Sequence, residues 1–209
     1  MFRKLFIFTL TLLVVSGVCA QKKNNYQPPF SNEMVAFSWG GNVPINNDFT
    51  NKTSWNGFKL EYRKMIKPDL SVGFEMSWNG FEQYRPTKTY QLRNGAVTTD
   101  FYSYMYTVPV ALNAHHYFHF NDMVTPFAGL ALGATYSEEK LYYNIYGSNY
   151  YNWGFLISPE LGAIVKFEEG SGFGIIVGVN YNYSTNKQSQ VNLNGIQNFG
   201  FQVGIMLGK

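Results

Sequence analysis

After its first twenty residues the chain has no cysteine, because Cys19 is the only one in 209 residues. That excludes disulfide cross-links, thiol catalysis and cysteine-ligated metals from the remainder. Charge is sparse as well: Asp, Glu, Lys and Arg make up 14% of the chain, 16 basic residues against 13 acidic. No run of Lys and Arg is present to follow a phosphate backbone, so a nucleic-acid partner is not expected. Beyond Ala20 no apolar stretch approaches the ~20 residues a membrane-crossing helix needs. What the chain has in plenty is aromatic side chains and glycine: 18 Phe, 16 Tyr and 4 Trp beside 20 Gly.

The opening segment, MFRKLFIFTLTLLVVSGVCA, has basic residues at Arg3 and Lys4, an apolar run from Leu5 to Val15, and a small-residue exit. This is the pattern of an export signal cleaved after Ala20, with an apolar run too short for a bilayer span. Cleavage removes Cys19 and the two basic residues. That leaves 14 Lys+Arg against 13 Asp+Glu, a mature charge of about +1. Residues 21–32 (QKKNNYQPPFSN) are polar, contain Pro28-Pro29 and read as a loose periplasmic leader. The predicted organisation is a signal over 1–20, this leader over 21–32, and one β domain over 33–209.

Large apolar residues recur with a period of two through that domain, which is the signature of a strand. Near the C-terminus, Phe199, Phe201, Val203, Ile205 and Leu207 alternate with Gly200, Gln202, Gly204, Met206 and Gly208. In 70–79, Leu70, Val72, Phe74, Met76 and Trp78 alternate with Ser71, Gly73, Glu75, Ser77 and Asn79. The same alternation predicts strands over about 33–41, 55–66, 98–118, 125–136, 153–167 and 173–184, eight in all. Polar stretches at 42–54, 80–97, 137–152 and 185–194 are predicted as long loops, and the links between them as short turns. Long and short connections therefore alternate around an even number of strands, as in a membrane barrel with periplasmic turns and extracellular loops.

A soluble barrel needs its apolar face inside, and Phe, Tyr, Trp, Leu, Ile and Val in nearly every strand would overfill so narrow a lumen. The opposite face is mostly Gly, Ser and Asn and suits a crowded interior. The predicted fold is therefore an all-β, eight-stranded antiparallel up-and-down transmembrane β-barrel. An open sheet would leave backbone groups unpaired in lipid, so the barrel must close.

Beyond the export signal and the meander, two segments carry a family resemblance: Thr-Val-Pro-Val-Ala-Leu at 107–112 and Thr-Pro-Phe-Ala-Gly-Leu-Ala-Leu-Gly at 125–133. They resemble the small outer-membrane β-barrel family common in Bacteroidetes, which includes PorT-like and OmpX/OmpA-like barrels. Asn198, Gly200, Val203 and Ile205 are similar to the closing-strand signal read by the barrel-assembly machinery, although the chain ends in Gly208-Lys209 instead of an aromatic. The resemblance implies an outer-membrane location, outer-membrane lipid and the assembly machinery as partners, and an envelope protein complex as a further candidate partner. It implies no cofactor.

Three sets of residues are candidates for function. Lys59, Glu61, Arg63, Glu75, Glu160 and Lys166 lie on the small-residue face of three strands. There they would form a charge cluster in the lumen, serving as a structural network or as the gate of a narrow channel. Glu61 is expected opposite Glu75, with Arg63 bridging the two. Tyr142, Tyr143, Tyr146, Tyr150 and Tyr151 fall in one predicted loop and would offer a binding surface with polar tips. His115, His116 and His119 lack a neighbouring carboxylate to complete a metal site, and are expected in an aromatic girdle at the periplasmic rim. The expected function is a non-enzymatic barrel that supports the envelope or binds a partner through its outer loops. A channel or a lipid-modifying enzyme are the alternatives.

Overall fold

The structure is a computed structural model that describes residues 32–209, apart from 46–48, 93–94, 144–145, 169 and 192. The expected signal and the leader up to residue 31 lie outside the described residues. The eight strands are β1 (Glu33–Pro44), β2 (Ser54–Lys67), β3 (Leu70–Leu92), β4 (Gly95–Tyr117), β5 (Val124–Tyr143), β6 (Tyr146–Lys166), β7 (Phe173–Gln188) and β8 (Leu193–Gly208), with a 3-10 turn at Ser189–Val191. Each strand runs antiparallel to the next, and β1 pairs with β8 from Met34↔Gly208 to Pro44↔Asn198, which closes the barrel. The two ends of the described chain meet at one rim: the Asn32 amide donates to the Lys209 carbonyl at 2.8 Å, and the Lys209 amide to the Glu33 carbonyl at 3.0 Å.

The period-two pattern sorts cleanly into two faces. Phe37, Phe74, Leu112, Phe155, Leu161, Val179 and Ile205 stand exposed on the exterior, Leu112 at 73% of its full surface. Water would penalise so large an apolar exterior, and hydrocarbon would not. Towards the rim far from the termini, one or two aromatic residues per strand encircle the outside. Trp39 stacks with Trp55 at 5.9 Å, Trp78 with Tyr106 at 5.8 Å, Tyr136 meets Trp153 at 5.3 Å, and Tyr181 meets Phe199 at 5.2 Å. Such belts mark the interface of a bilayer, where an amphipathic ring has both an apolar and a wet neighbour.

Two of the four predicted loops are strands. Residues 80–97 continue β3 and β4 to the Leu92↔Gly95 pair, and 137–152 continue β5 and β6 to Tyr143↔Tyr146. From Trp78 to Leu92, β3 runs on for roughly 45 Å at ~3.3 Å per residue. The asymmetry between the two ends thus lies in strand length. The reason is that these segments leave the apolar belt: once water replaces lipid on the outer face, large apolar residues no longer mark that face, while the backbone pairing persists.

Because β2 pairs with β3 only up to Asn56↔Gly80, and β7 with β6 only up to Leu156↔Ser184, the strands β3–β6 project as a wall with two edges. The β3 edge carries Glu82, Arg85, Pro86 and Lys88, residues that discourage further strand addition. Phe49 and Asn51 also lean on it, with the Asn51 amide donating to Gln83 Oε1 at 2.8 Å and Arg85 Nη2 to the Phe49 carbonyl at 3.4 Å. The β6 edge from Tyr146 to Gly154 reads YGSNYYNWG, without charge or proline.

Candidate functional site

The lumen is layered. At the short-turn end Met34, Ala36, Tyr117, Phe127, Ile164, Ile176 and Met206 form an apolar floor, every one at most 2% exposed. The expectation of a small or polar inner face is corrected here: both barrel rims carry large apolar side chains inside. Towards the outer end Phe49, Phe81, Met105, Leu193 and Ile196 make a second apolar layer. Met34, Ile164, Ile176 and Met206 gave a local sign of this, each a large residue on a strand face otherwise held mostly by small or polar side chains.

Between the layers lies the charge cluster. The register sets Glu61 opposite Glu75. The cation between them is Lys59, not Arg63. Lys59 Nζ contacts Glu61 and lies 2.5 Å from Glu160 Oε2 and 3.3 Å from Glu75 Oε2. Arg63 instead joins Glu61, at 2.6 Å, to Glu160, at 3.4 Å. The reason is the course of the strand: Arg63 is the member of the β2 row nearest the floor, and its guanidinium reaches over the Phe127 ring at 4.6 Å. A shell of neutral donors completes the network. Asn113 Nδ2 donates to Glu75 Oε2 at 3.0 Å, and Gln202 Nε2 to Glu160 Oε1 at 3.0 Å. Lys166 shares the inner face but sits at the last position of β6, and none of the cluster's ion pairs includes it.

The histidines divide. His115 points inward at 1% exposure and meets Phe127 edge-on at 5.4 Å, so it belongs to the lumen and not to an outer girdle. Its neighbour on β5 is Gly129, where a Cβ would collide with the imidazole ring. His116 faces out, 3.8 Å from Asp69, and His119 lies past the end of β4.

The five tyrosines are parts of a hairpin, so they occupy two faces instead of one surface. Tyr142 and Tyr151 face the exterior, where Tyr151 stacks on Tyr136 at 6.4 Å. Tyr143, Tyr146 and Tyr150 share the inner face of the hairpin, and Tyr143 stacks on Tyr146 at 5.7 Å. At the mouth, Phe49, Arg85, Phe101, Ser103, Leu141 and Val191 line a cavity of about 260 Å³ above the upper apolar layer.

No protein-family model matches the sequence, and no curated protein is similar enough to match it. Among solved structures the chain is similar to Neisserial surface protein A, with a TM-score of 0.55 and 14% identity over 86% of this chain and 98% of that one. It also matches Ail, the attachment invasion locus protein of Yersinia pestis, at 16% identity over 85% and 99% of the two chains, with a TM-score of 0.47. OprG from Pseudomonas aeruginosa matches at 14% identity over 88% and 98%, again with a TM-score of 0.47. The fold is that of the eight-stranded outer-membrane β-barrels.

Proposed function

We propose that the chain is an outer-membrane barrel with a closed lumen that works through its projecting wall, binding an envelope or cell-surface protein along β6. The carrying observation is the contrast between the wall's two edges. The β3 edge is guarded by charge, proline and the 49–51 segment, whereas the β6 edge is uncharged and pairs with β5 alone over residues 146–151, before Thr185 and Asn186 of β7 cap the backbone at Asn152 and Phe155. An unpaired edge offers alternate backbone donors and acceptors to an extended segment of another protein, and Tyr142 and Tyr151 beside it supply contact area.

The location is supported by the apolar exterior, the aromatic belt and the export-signal pattern of residues 1–20. Kinship with the PorT-like barrels of Bacteroidetes rests on segments 107–112 and 125–133, and insertion by the barrel-assembly machinery on the pattern in β8. The channel alternative is weakened by the two apolar layers that fill the lumen. The enzyme alternative is weakened by the place of the histidines: all three lie at the short-turn end, remote from a substrate approaching from outside. A photo-crosslinking residue at Asn149 or Tyr151 should capture a protein in intact cells that the same residue at Phe173, near the opposite rim, does not. Equal capture at the two ends, or none at β6, would sink the proposal.

A further inference from the structure

Just beyond the aromatic belt, where β6 parts from β7, six polar side chains line one stretch of the inner wall, from Ser184 at the level of Leu156 up to Glu139 at the level of Tyr150. Thr135, Ser137 and Glu139 come from the inner face of β5, Asn152 from β6, and Ser184 and Asn186 from β7. Glu139, Ser137 and Asn186 are fully buried, and Thr135 and Ser184 are 2% exposed. Two amides hold the group together. Asn186 Nδ2 donates to Ser137 Oγ at 2.9 Å, to the Thr135 carbonyl at 3.0 Å and to the Asn152 carbonyl at 3.4 Å. Asn152 Nδ2 reaches both oxygens of Glu139, at 3.1 and 3.3 Å. Gly154 is required here, since a Cβ would run into Asn186.

Apart from those two nitrogens, the polar side-chain atoms of the group are all oxygens. Two of them beside Glu139, Asn152 Oδ1 and Asn186 Oδ1, are buried without a hydrogen-bond partner, while Thr135 Oγ1 and Ser184 Oγ belong to residues that line a separate small void lower in the lumen. Buried polar atoms left unpaired are uncommon, and two next to a buried carboxylate call for a missing counterpart. Glu139 accepts hydrogen bonds but has no cation: among the described residues no ion pair includes it, and adjacent Lys140 turns outward to Glu138 at 3.0 Å. A carboxylate taken out of water is costly unless a cation compensates it, and burial accordingly pushes the Glu139 carboxyl up from its ordinary range. The donor chemistry names the counterpart. A carboxylate, two carboxamides, hydroxyls and backbone carbonyls form an all-oxygen set, the kind that hard cations take and softer metals leave.

We propose that Glu139, Ser137, Asn152 and Asn186, with the carbonyls of Thr135 and Asn152, form a calcium-binding site. Turning a carboxamide by 180° exchanges its nitrogen for oxygen without changing its shape: for Asn152 this brings the oxygen to Glu139, and for Asn186 to Ser137 Oγ and the carbonyls of Thr135 and Asn152. Calcium accepts such irregular shells of six to eight oxygens, while magnesium demands a strict octahedron and holds its waters. With a single carboxylate the affinity belongs to the weak class of extracellular sites, about 10⁻⁴–10⁻³ M. The ion would clamp β5, β6 and β7 together at the point where the β6–β7 ladder ends, and so fix the angle at which the outer hairpin stands.

The test uses the full chain folded in zwitterionic detergent, with Tb³⁺ as the probe and Trp153 and Tyr136 as sensitisers. Sensitised luminescence should appear, be displaced by millimolar Ca²⁺ but not Mg²⁺, and fall at least about tenfold in Glu139→Gln. Asn186→Asp provides the second variant, and keeps the test decisive if Glu139→Gln does not fold. A cation site gains a ligand charge, so Tb³⁺ should bind about tenfold tighter and Ca²⁺ should raise the unfolding temperature more than in wild type. If Glu139 is merely protonated within a hydrogen-bond network, Asn186→Asp lowers the unfolding temperature equally with and without Ca²⁺, and the proposal falls. Luminescence that is absent in wild type or unchanged in Glu139→Gln would also overturn it.

Discussion

At the scale of single residues the lumen cluster turns on Lys59. Three carboxylates, Glu61, Glu75 and Glu160, crowd round its ammonium, and they lie close enough together to repel strongly without it. Arg63 compensates two of the three but makes no ion pair with Glu75. Removing one partner from a buried ion network leaves uncompensated charge, a cost of about 3–5 kcal/mol. Lys59→Met should therefore lower the thermal midpoint markedly, and Lys59→Met combined with Glu75→Gln should recover part of the loss. Melting the single and double variants side by side in detergent checks this, and equal midpoints would mean that Glu75 and Lys59 are not coupled. Much of this was legible from sequence. The turn at Lys67-Pro68-Asp69 sets the Glu61↔Glu75 register by simple counting. Which cation bridges them was not, because that depends on Glu160 arriving from β6 across the lumen, and no local spacing encodes a contact between residues 101 positions apart.

At the scale of the element, each strand is read by which neighbour its two faces meet. Val177 lies mid-strand on the exterior of β7, 38% exposed between Ala163 and Val203. Asn180 is on the opposite face, beside Glu160 in the register. An arginine at the bilayer midplane costs about 2–4 kcal/mol, and one beside an inward carboxylate finds a partner. Val177→Arg should thus impair folding into lipid vesicles more than Asn180→Arg, as scored by the folded fraction on unboiled gels. The reverse order would place the apolar face inside. Period-two alternation revealed every strand within the apolar belt, since lipid outside and a packed lumen inside impose opposite demands on successive residues. It failed at 80–97 and 137–152 because, past the belt, the outer face meets water instead of lipid, and large apolar residues no longer mark it. There the Tyr content of the β5–β6 hairpin, five of the residues 137–152, was the remaining signal for strand.

At the scale of the whole molecule, closure decides two properties together. Every strand edge within the belt is paired, so opening the barrel breaks a full ladder, and the purified protein should keep a compact gel mobility in SDS until boiled. Closure also leaves the inside to be filled, and the charged layer is only one of several fillings. Near mid-lumen, Asn79, Thr107, Leu156, Asn182, Ser184 and Asn198 surround a void of about 10 Å³, the least space that holds one water. An ion crossing the barrel would have to pass this level, the salt bridges and the floor of Met34, Ile164, Ile176 and Met206. Conductance should accordingly be absent in wild-type protein in planar bilayers, and absent in Lys59→Met as well, because loosening the charges leaves the floor in place. Truncating the floor by Ile164→Ala and Met206→Ala should still not open a path while Arg63 and Lys59 hold the carboxylates together. Only a variant that also opens the outer apolar layer, Lys59→Met with Ile164→Ala, Met206→Ala, Phe81→Ala and Met105→Ala, loosens the charged layer and both apolar layers, and it alone should show small, discrete currents. Current through Lys59→Met by itself would instead make the cluster a gate, with the apolar floor yielding to water.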